Sequence, residues 1–314
     1  MSSIRIAVIG AGKMAEEHSR ALASIPGIEL SGIHSRTRAK AVALANTYNI
    51  ADVYDSIAEM QSRALADAVI IAVNEMSLLA IIEEVVKTDW AIFMEKPPGR
   101  NLTVALEIER ALSKAGRSSY VGLNRRFYDS TVEAQRILTE TEGRRHVTIF
   151  DQQSMAGARA IGHPEQVVQH FMYANSIHLI DYARLFCRGE ASRVMPDRPW
   201  EGENTFFHGA TVEFASGDTA RYEAVWKGPG PWAVAVATET SRLELRPLEA
   251  LSVQRIGSRT QEAVVAADAA SEFKPGFLRQ AHEFVKAIRG EPSDLPEMAD
   301  AIETMRLIHA IYSV

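Results

Sequence analysis

The chain has 314 residues, 46% of them hydrophobic and 24% charged, with a net charge of −6. That length leaves room for two domains, and an acidic balance without a dense Lys/Arg stripe argues against a nucleic-acid partner. The single cysteine, Cys187, excludes an intramolecular disulfide framework and fits a reducing compartment.

No apolar run approaches the roughly 20 residues that span a bilayer. Ile4–Ile9 is too short for a secretory leader, with charge returning at Lys13. A cytoplasmic protein with no membrane partner is expected. Ile4–Ile9 reads as a strand that runs straight into Gly10-Ala11-Gly12-Lys13-Met14-Ala15. In such a pattern the first glycine permits a tight turn and the second lets backbone approach a pyrophosphate. The small third residue lets the following helix pack on the strand. Cofactor contacts are therefore expected at Gly10, Gly12, Lys13 and Met14, with the helix N-terminus holding phosphate. His18, about one turn into that helix, reads as structural.

The second strand, Glu29–His34, ends in Ser35-Arg36-Thr37-Arg38 without the acidic residue that usually accepts from an NAD ribose. Ser35 and Arg36 suit a 2′-phosphate, so NADP is preferred over NAD. The other reading is a solvated basic start to a helix over Thr37–Tyr48. Strand and helix then alternate through Asp67–Val73, Ser77–Lys87, Trp90–Glu95, Asn101–Ala115 and Ser118–Leu123, as a doubly wound sheet requires. Asn74 falls at a strand's carboxyl end, where a loop would cover the nicotinamide ribose. Glu95-Lys96-Pro97-Pro98-Gly99 leaves another strand at the same edge, because the prolines cannot continue a ladder. Lys96 is placed to reach the nicotinamide end. Asn124-Arg125-Arg126-Phe127 follows the last strand and faces the same crevice.

Beyond residue 124, Asp129–Glu140 reads as a helix capped by Asp129 or Ser130, and Arg145–Gln153 as a strand. Ser154–His163 reads as a loop able to close over substrate, and Pro164–Phe186 as one long helix carrying His170, His178 and Asp181. His178 and Asp181 share a face. A histidine there is either a proton carrier, with its ordinary pKa near 6.5, or a core residue bonded to Asp181. Strands return from Arg193, with Gly209–Phe214 and Thr219–Trp226 joined by the hairpin signal Ala215-Ser216-Gly217-Asp218. Tyr222, Ala224 and Trp226 share one face, read as an oligomer interface. Trp232–Ala237 and Arg242–Leu245 extend the sheet, and helices over Gly276–Arg289 and Glu297–Tyr312 close the chain. No metal-ligand spacing and no Gly-x-Ser-x-Gly nucleophile motif occurs.

Four stretches together carry a family likeness: Gly10-x-Gly12-x-x-Ala15, Glu95-Lys96-Pro97, Asn124-Arg125-Arg126-Phe127 and His178-Leu179-Ile180-Asp181. With them the chain resembles the glucose–fructose oxidoreductase/inositol dehydrogenase (Gfo/Idh/MocA) family over essentially its whole length. The resemblance implies an α/β protein with an N-terminal Rossmann dinucleotide-binding domain over 1–123. Residues 124–314 would form an α+β domain with an open-faced, largely antiparallel sheet, its closing helices able to pack back on the first domain. It implies a cis Lys96–Pro97 bond, with Lys96 contacting nicotinamide and substrate hydroxyl, Glu95 at the cofactor and His178 as catalytic histidine.

The activity so implied is NAD(P)-dependent hydride transfer at a secondary alcohol or ketone of a sugar, sugar derivative or cyclic polyol. Asn124, Arg125, Arg126, Asn175 and Asp181 are its substrate-binding candidates. Pro247-Leu248-Glu249 and Phe273-Lys274-Pro275-Gly276-Phe277 resemble segments of family members found in nucleotide-sugar and polysaccharide pathways. A homodimer or homotetramer through the sheet is expected. One departure stands out: Ala174 occupies the position where many inositol-dehydrogenase-like members carry an aspartate. It keeps open a non-catalytic nicotinamide-binding regulator, while a reductase of a non-sugar carbonyl is a further rival.

Overall fold

The computed structural model describes residues 3–265 and 271–314. The chain divides into two compact units, Met1–Asn124 with Glu272–Ile302, and Arg125–Ser271 with Glu303–Val314.

In the first unit β1 (Ile4–Ile9), α1 (Lys13–Ala23), β2 (Ile28–His34), α2 (Arg38–Tyr48), β3 (Val53–Tyr54) and α3 (Ile57–Arg63) alternate. They are followed by β4 (Ala68–Ile71), α4 (Leu78–Val85), β5 (Ala91–Glu95), α5 (Leu102–Ala115) and β6 (Ser119–Gly122). The six strands are parallel in the order β3-β2-β1-β4-β5-β6. Chain order reverses between β1 and β4, which opens a ligand crevice at their carboxyl ends. Helices cover both faces of such a sheet, so its central strands read as unbroken apolar runs; all of β4 is buried. The Asn101 carboxamide caps α5 by accepting from the Val104 N–H at 3.1 Å, and Gly116 ends it in the left-handed region. The short pair β3 and α3 escaped the sequence reading, since two residues of strand carry no period. The helix Phe277–Ile288 packs on α1.

In the second unit α6 (Asp129–Thr139), β7 (His146–Gln152), α7 (Met155–Ala160), α8 (Glu165–Val168) and α9 (Ile177–Phe186) precede a run of strands. These are β8 (Ala191–Pro196), β9 (Phe207–Phe214), β10 (Thr219–Val225), β11 (Ala233–Ala237), β12 (Ser241–Leu245), β13 (Leu251–Arg255) and β14 (Glu262–Val265). The eight-stranded sheet has the order β14-β13-β12-β11-β7-β10-β9-β8, antiparallel throughout except between β7 and β10. Along β7, Val147, Ile149 and Asp151 are buried while Thr148, Phe150 and Gln152 are half-buried, the alternation of a sheet covered on one face.

Three expectations need correcting. Pro164–Phe186 is not one helix: α8 stops at Val168, and a π-helical turn over Met172–Ser176 leads into α9. The apolar spacing across the break stays close to helical, so periodicity alone could not reveal it. Tyr222, Ala224 and Trp226 do share a face, but it is the covered one; each is at most 3% exposed, and the Tyr222 and Tyr312 hydroxyls meet at 2.8 Å. They cannot form an oligomer surface. Ser154–His163 also contains α7, with the Ser154 hydroxyl capping it through the Gly157 N–H.

The hairpin residue Asp218 does more than turn the chain. Its buried carboxylate accepts from the Arg145 and Arg188 backbone N–H groups, each at 2.9 Å, and is clasped by the Arg188 guanidinium. Burial raises its pKa, but the Arg188 hydrogen bonds and the two backbone donors outweigh that and hold it well below the usual carboxylate range. A carboxyl depressed in the fold stabilises above its unfolded pKa of about 3.9, and the contribution disappears as pH falls through the folded value. Asp218→Ala is expected to cost about 2–3 kcal/mol at pH 7, because the Arg188 it leaves is partly solvated and what is lost is the set of charge-assisted hydrogen bonds. Urea-unfolding midpoints of variant and parent should converge as the pH is lowered.

Candidate active site

Within the first unit, the turn after β1 is built to hold something against backbone. Gly10 sits at φ +112°, and a Cβ there would lie 2.2 Å from the Ala72 carbonyl oxygen on the neighbouring β4 edge. Only glycine fits that turn. Gly12 is the opposite case: a Cβ there would meet nothing within 4 Å, and Gly12 caps α1 without any side-chain hydrogen bond. The opening amides of α1, at Lys13 and Met14, follow at the positive end of a helix dipole. This cradle, at the reversal point of the sheet, fits a dinucleotide pyrophosphate. At the end of β2, Ser35 accepts from the Thr37 N–H at 3.4 Å. Arg36 is exposed and enters no ion pair among the described residues, whereas Arg38 is paired with Asp55. Asn74 accepts from the Ser77 N–H and hydroxyl at 3.1 Å each, a turn that starts α4.

The Lys96–Pro97 bond is cis, as is Arg246–Pro247. Glu95, 8% exposed, takes a 2.7 Å contact from His18 Nε2. Burial raises the Glu95 pKa, but His18, Lys96 and Lys274 together carry it below the ordinary value. The carboxylate is thus kept ionised under Lys96. His18 is enclosed by Phe93 and Phe277, with ring centroids 5.1 and 4.7 Å away. Its role is to fix Glu95, in keeping with the structural role expected of it. Lys274, quoted in the sequence only within a family-like segment and given no site role, lies 3.3 Å from Met14 Sδ and 4.9 Å from the Phe277 ring, placing a cation beside the start of α1. Nothing local announced it, because 260 residues separate it from Met14. Asn124 is buried, and its amide donates to the Pro275 carbonyl at 3.1 Å, anchoring the returning segment.

In the second unit His178 lies on α9 and is 6% exposed. The partner expected for it, Asp181, is committed elsewhere. Asp181 accepts two parallel bonds from Arg126 at 2.7 Å and a third from the Thr304 hydroxyl at 2.8 Å. With side-chain exposures of 14% and 5%, Arg126 and Asp181 form a buried bidentate pair. The Arg125 guanidinium lies 4.8 Å over the Trp232 ring. Asn175 is the half-exposed residue of the π-helical turn, whose other members are buried. Among the described residues, no three or more His, Cys, Asp or Glu are grouped to hold a metal ion, and no helix is long and apolar enough to cross a membrane.

A doubly wound sheet with a glycine cradle at its reversal point, followed by a separate and largely antiparallel sheet, defines a Rossmann-type dinucleotide-binding protein. Residues 4–123 match the GFO_IDH_MocA model, described as "Oxidoreductase family, NAD-binding Rossmann fold". Inositol 2-dehydrogenase 1 of Mycolicibacterium vanbaalenii is 34% identical over 139 residues, which is 41% of this chain and 38% of that protein. The curated relatives are matched over only 38–41% of their own length. The crystal structure of a dehydrogenase from Chromobacterium violaceum aligns with a TM-score of 0.87 at 22% identity, covering 100% of this chain and 95% of that one. A levoglucosan dehydrogenase in complex with NADH and levoglucosan aligns with a TM-score of 0.83 at 17% identity, over 99% and 97% of the two chains. At such identities these structures establish the fold.

Proposed function

We infer that the protein is an NAD(P)-dependent dehydrogenase that moves hydride between nicotinamide and a secondary alcohol or ketone of a sugar, sugar derivative or cyclic polyol. The observation that carries this reading is the Gly10–Gly12 cradle together with a lysine that directly follows an ionised, His18-held glutamate at the end of β5. The cofactor, when bound, supplies C4 of the nicotinamide as hydride donor or acceptor. Gly10, Gly12 and the amides of Lys13 and Met14 hold its pyrophosphate, and Asn74 lies at its ribose. Lys96 binds the substrate oxygen and stabilises alkoxide charge as it develops. His178 takes the hydroxyl proton on oxidation and returns it on reduction. Arg125 and Asn175 contribute substrate contacts. Nucleotide-sugars and simple polyols are both within this class, and the expected setting is cytoplasmic.

NADP is the preferred cofactor in this reading, through Ser35 and the exposed Arg36. Fluorescence titration with NADPH and NADH should show tighter NADPH binding, by about tenfold for one charge-assisted contact, and Arg36→Ala should erase the difference. Equal binding by the parent would remove that role from Arg36. Turnover of myo-inositol, levoglucosan or UDP-N-acetylglucosamine with either cofactor tests the reaction itself. A regulator on the same fold would bind dinucleotide and turn over none of them. Self-association is proposed through the uncovered face of the second sheet, where Thr148, Phe150 and Gln152 are half-buried. Light scattering should then give a dimer or tetramer that Phe150→Glu dissociates.

A further inference from the structure

Behind Asn175 lies a buried line of polar groups that the proposed chemistry does not use. Asn175 Nδ2 donates to Gln153 Oε1 at 2.8 Å, and Gln153 Nε2 donates to Asp151 Oδ1 at 2.6 Å. The other Asp151 oxygen accepts from the Tyr222 hydroxyl at 2.7 Å, and that hydroxyl lies 2.8 Å from the Tyr312 hydroxyl. Asp151 and Gln153 are each 1% exposed; Asp151 takes an inward position where β7 otherwise places Val147 and Ile149, and Gln153 follows one residue past its end. Polar groups so deep in a core persist only when fully partnered. Burial raises the Asp151 pKa above the ordinary carboxylate value, and hydrogen bonds from Ser176, Tyr222, Gln153 and the Gln152 backbone oppose that rise without cancelling it. Donors aimed at both oxygens are the company of a carboxylate.

We propose that Asp151, acting through Gln153, fixes the Asn175 carboxamide so that it offers its carbonyl oxygen to a donor hydroxyl of the substrate. An ionised carboxylate can only accept, so the end of Gln153 that meets it must be the NH2 group. Gln153 then has only its carbonyl to turn toward Asn175, which must answer with its own NH2. That leaves the Asn175 carbonyl oxygen as the group it presents. The Tyr222 hydroxyl, spending its proton on Asp151, must accept from Tyr312, so the direction of every bond follows from one carboxylate. Asn175 stands three residues before His178 and near the end of the π-helical turn, an insertion that often re-aims side chains at functional sites. The site so defined selects a hydroxyl over a carbonyl or ether oxygen at the position Asn175 contacts. Asp151 and Gln153 are positioning residues, and Asn175 sets the specificity. The proposal rests on the dehydrogenase reading above.

A reversal experiment tests it, with levoglucosan and myo-inositol as probes, KM and kcat measured separately, and melting temperature followed in parallel. Asn175→Asp still offers an acceptor, but its carboxylate is repelled by the Gln153 carbonyl and swings out of place, which should raise KM by about tenfold or more with kcat little changed. Asp151→Asn frees the relay to run either way and should raise KM similarly. In the double variant the carboxamide introduced at position 151 can donate to Gln153. Gln153 then turns and donates to the carboxylate introduced at position 175, and an acceptor again faces the substrate. KM should return to within about threefold of the parent, a coupling that independent structural damage would not produce. Additive losses in KM overturn the relay. Compensation in melting temperature without compensation in KM overturns the substrate-facing role while leaving the dehydrogenase intact. A parent protein that turns over neither probe, nor UDP-N-acetylglucosamine, overturns the function proposed above and this role with it.

Discussion

Lys96→Ala is expected to lower kcat by about 10²–10³-fold, the usual cost of deleting one donor aimed at developing oxyanion charge. NAD(P)H affinity should stay within a few-fold, because the pyrophosphate cradle is made of backbone at Gly10, Gly12, Lys13 and Met14. The variant should also fold. Lys96 is one of several groups that keep Glu95 ionised, and His18 and Lys274 remain to do so. Lys96→Arg is a sharper control: the charge is retained, but the planar fork replaces a compact ammonium, and recovery should be poor. Single-turnover rates with a deuterated substrate, set beside cofactor titrations and melting curves, separate these quantities. Unchanged kcat in Lys96→Ala would remove the lysine from the chemistry, and a collapse in melting temperature would reassign it to the fold.

The features that could be read from the sequence are those whose cause is local. A tight turn needs Gly10 wherever the chain goes next, and an apolar strand stopped by two prolines must present Glu95 and Lys96 at its end. The alternation along β7 and β10 likewise marks which residues share a face. Which face is covered is a different matter, decided by what packs there; Tyr222 and Trp226 were therefore grouped correctly and assigned to the wrong side. The choice of partner for a charged group is equally non-local. Asp181 is one turn from His178, and helix spacing made that pairing attractive. The structure gives Asp181 to Arg126 and Thr304, 55 and 123 residues away in sequence. The relay behind Asn175 left one trace that could have been used. Asp151 occupies an inward position of a strand where a solvated role is impossible, and a buried carboxylate must be engaged by something.

Arg126→Ala is expected to be among the most destabilising single changes in the second unit, at about 3–5 kcal/mol. Asp181 is 4% exposed; without the guanidinium its charge would stay buried with the Thr304 hydroxyl as the remaining donor of the three bonds described. Thr304 is itself engaged, accepting from Arg184 at 3.0 Å, so the loss would spread along a line of four side chains. Most of the cost comes from stranding one charge, not from any large net value of the pair. Replacing both members, as Arg126→Met with Asp181→Leu, should accordingly recover much of the stability, since an apolar pair of similar volume carries no desolvation penalty. Urea midpoints of the two singles and the double measure this directly. Were Arg126 instead a substrate ligand, its removal would raise KM and leave the unfolding midpoint where it was.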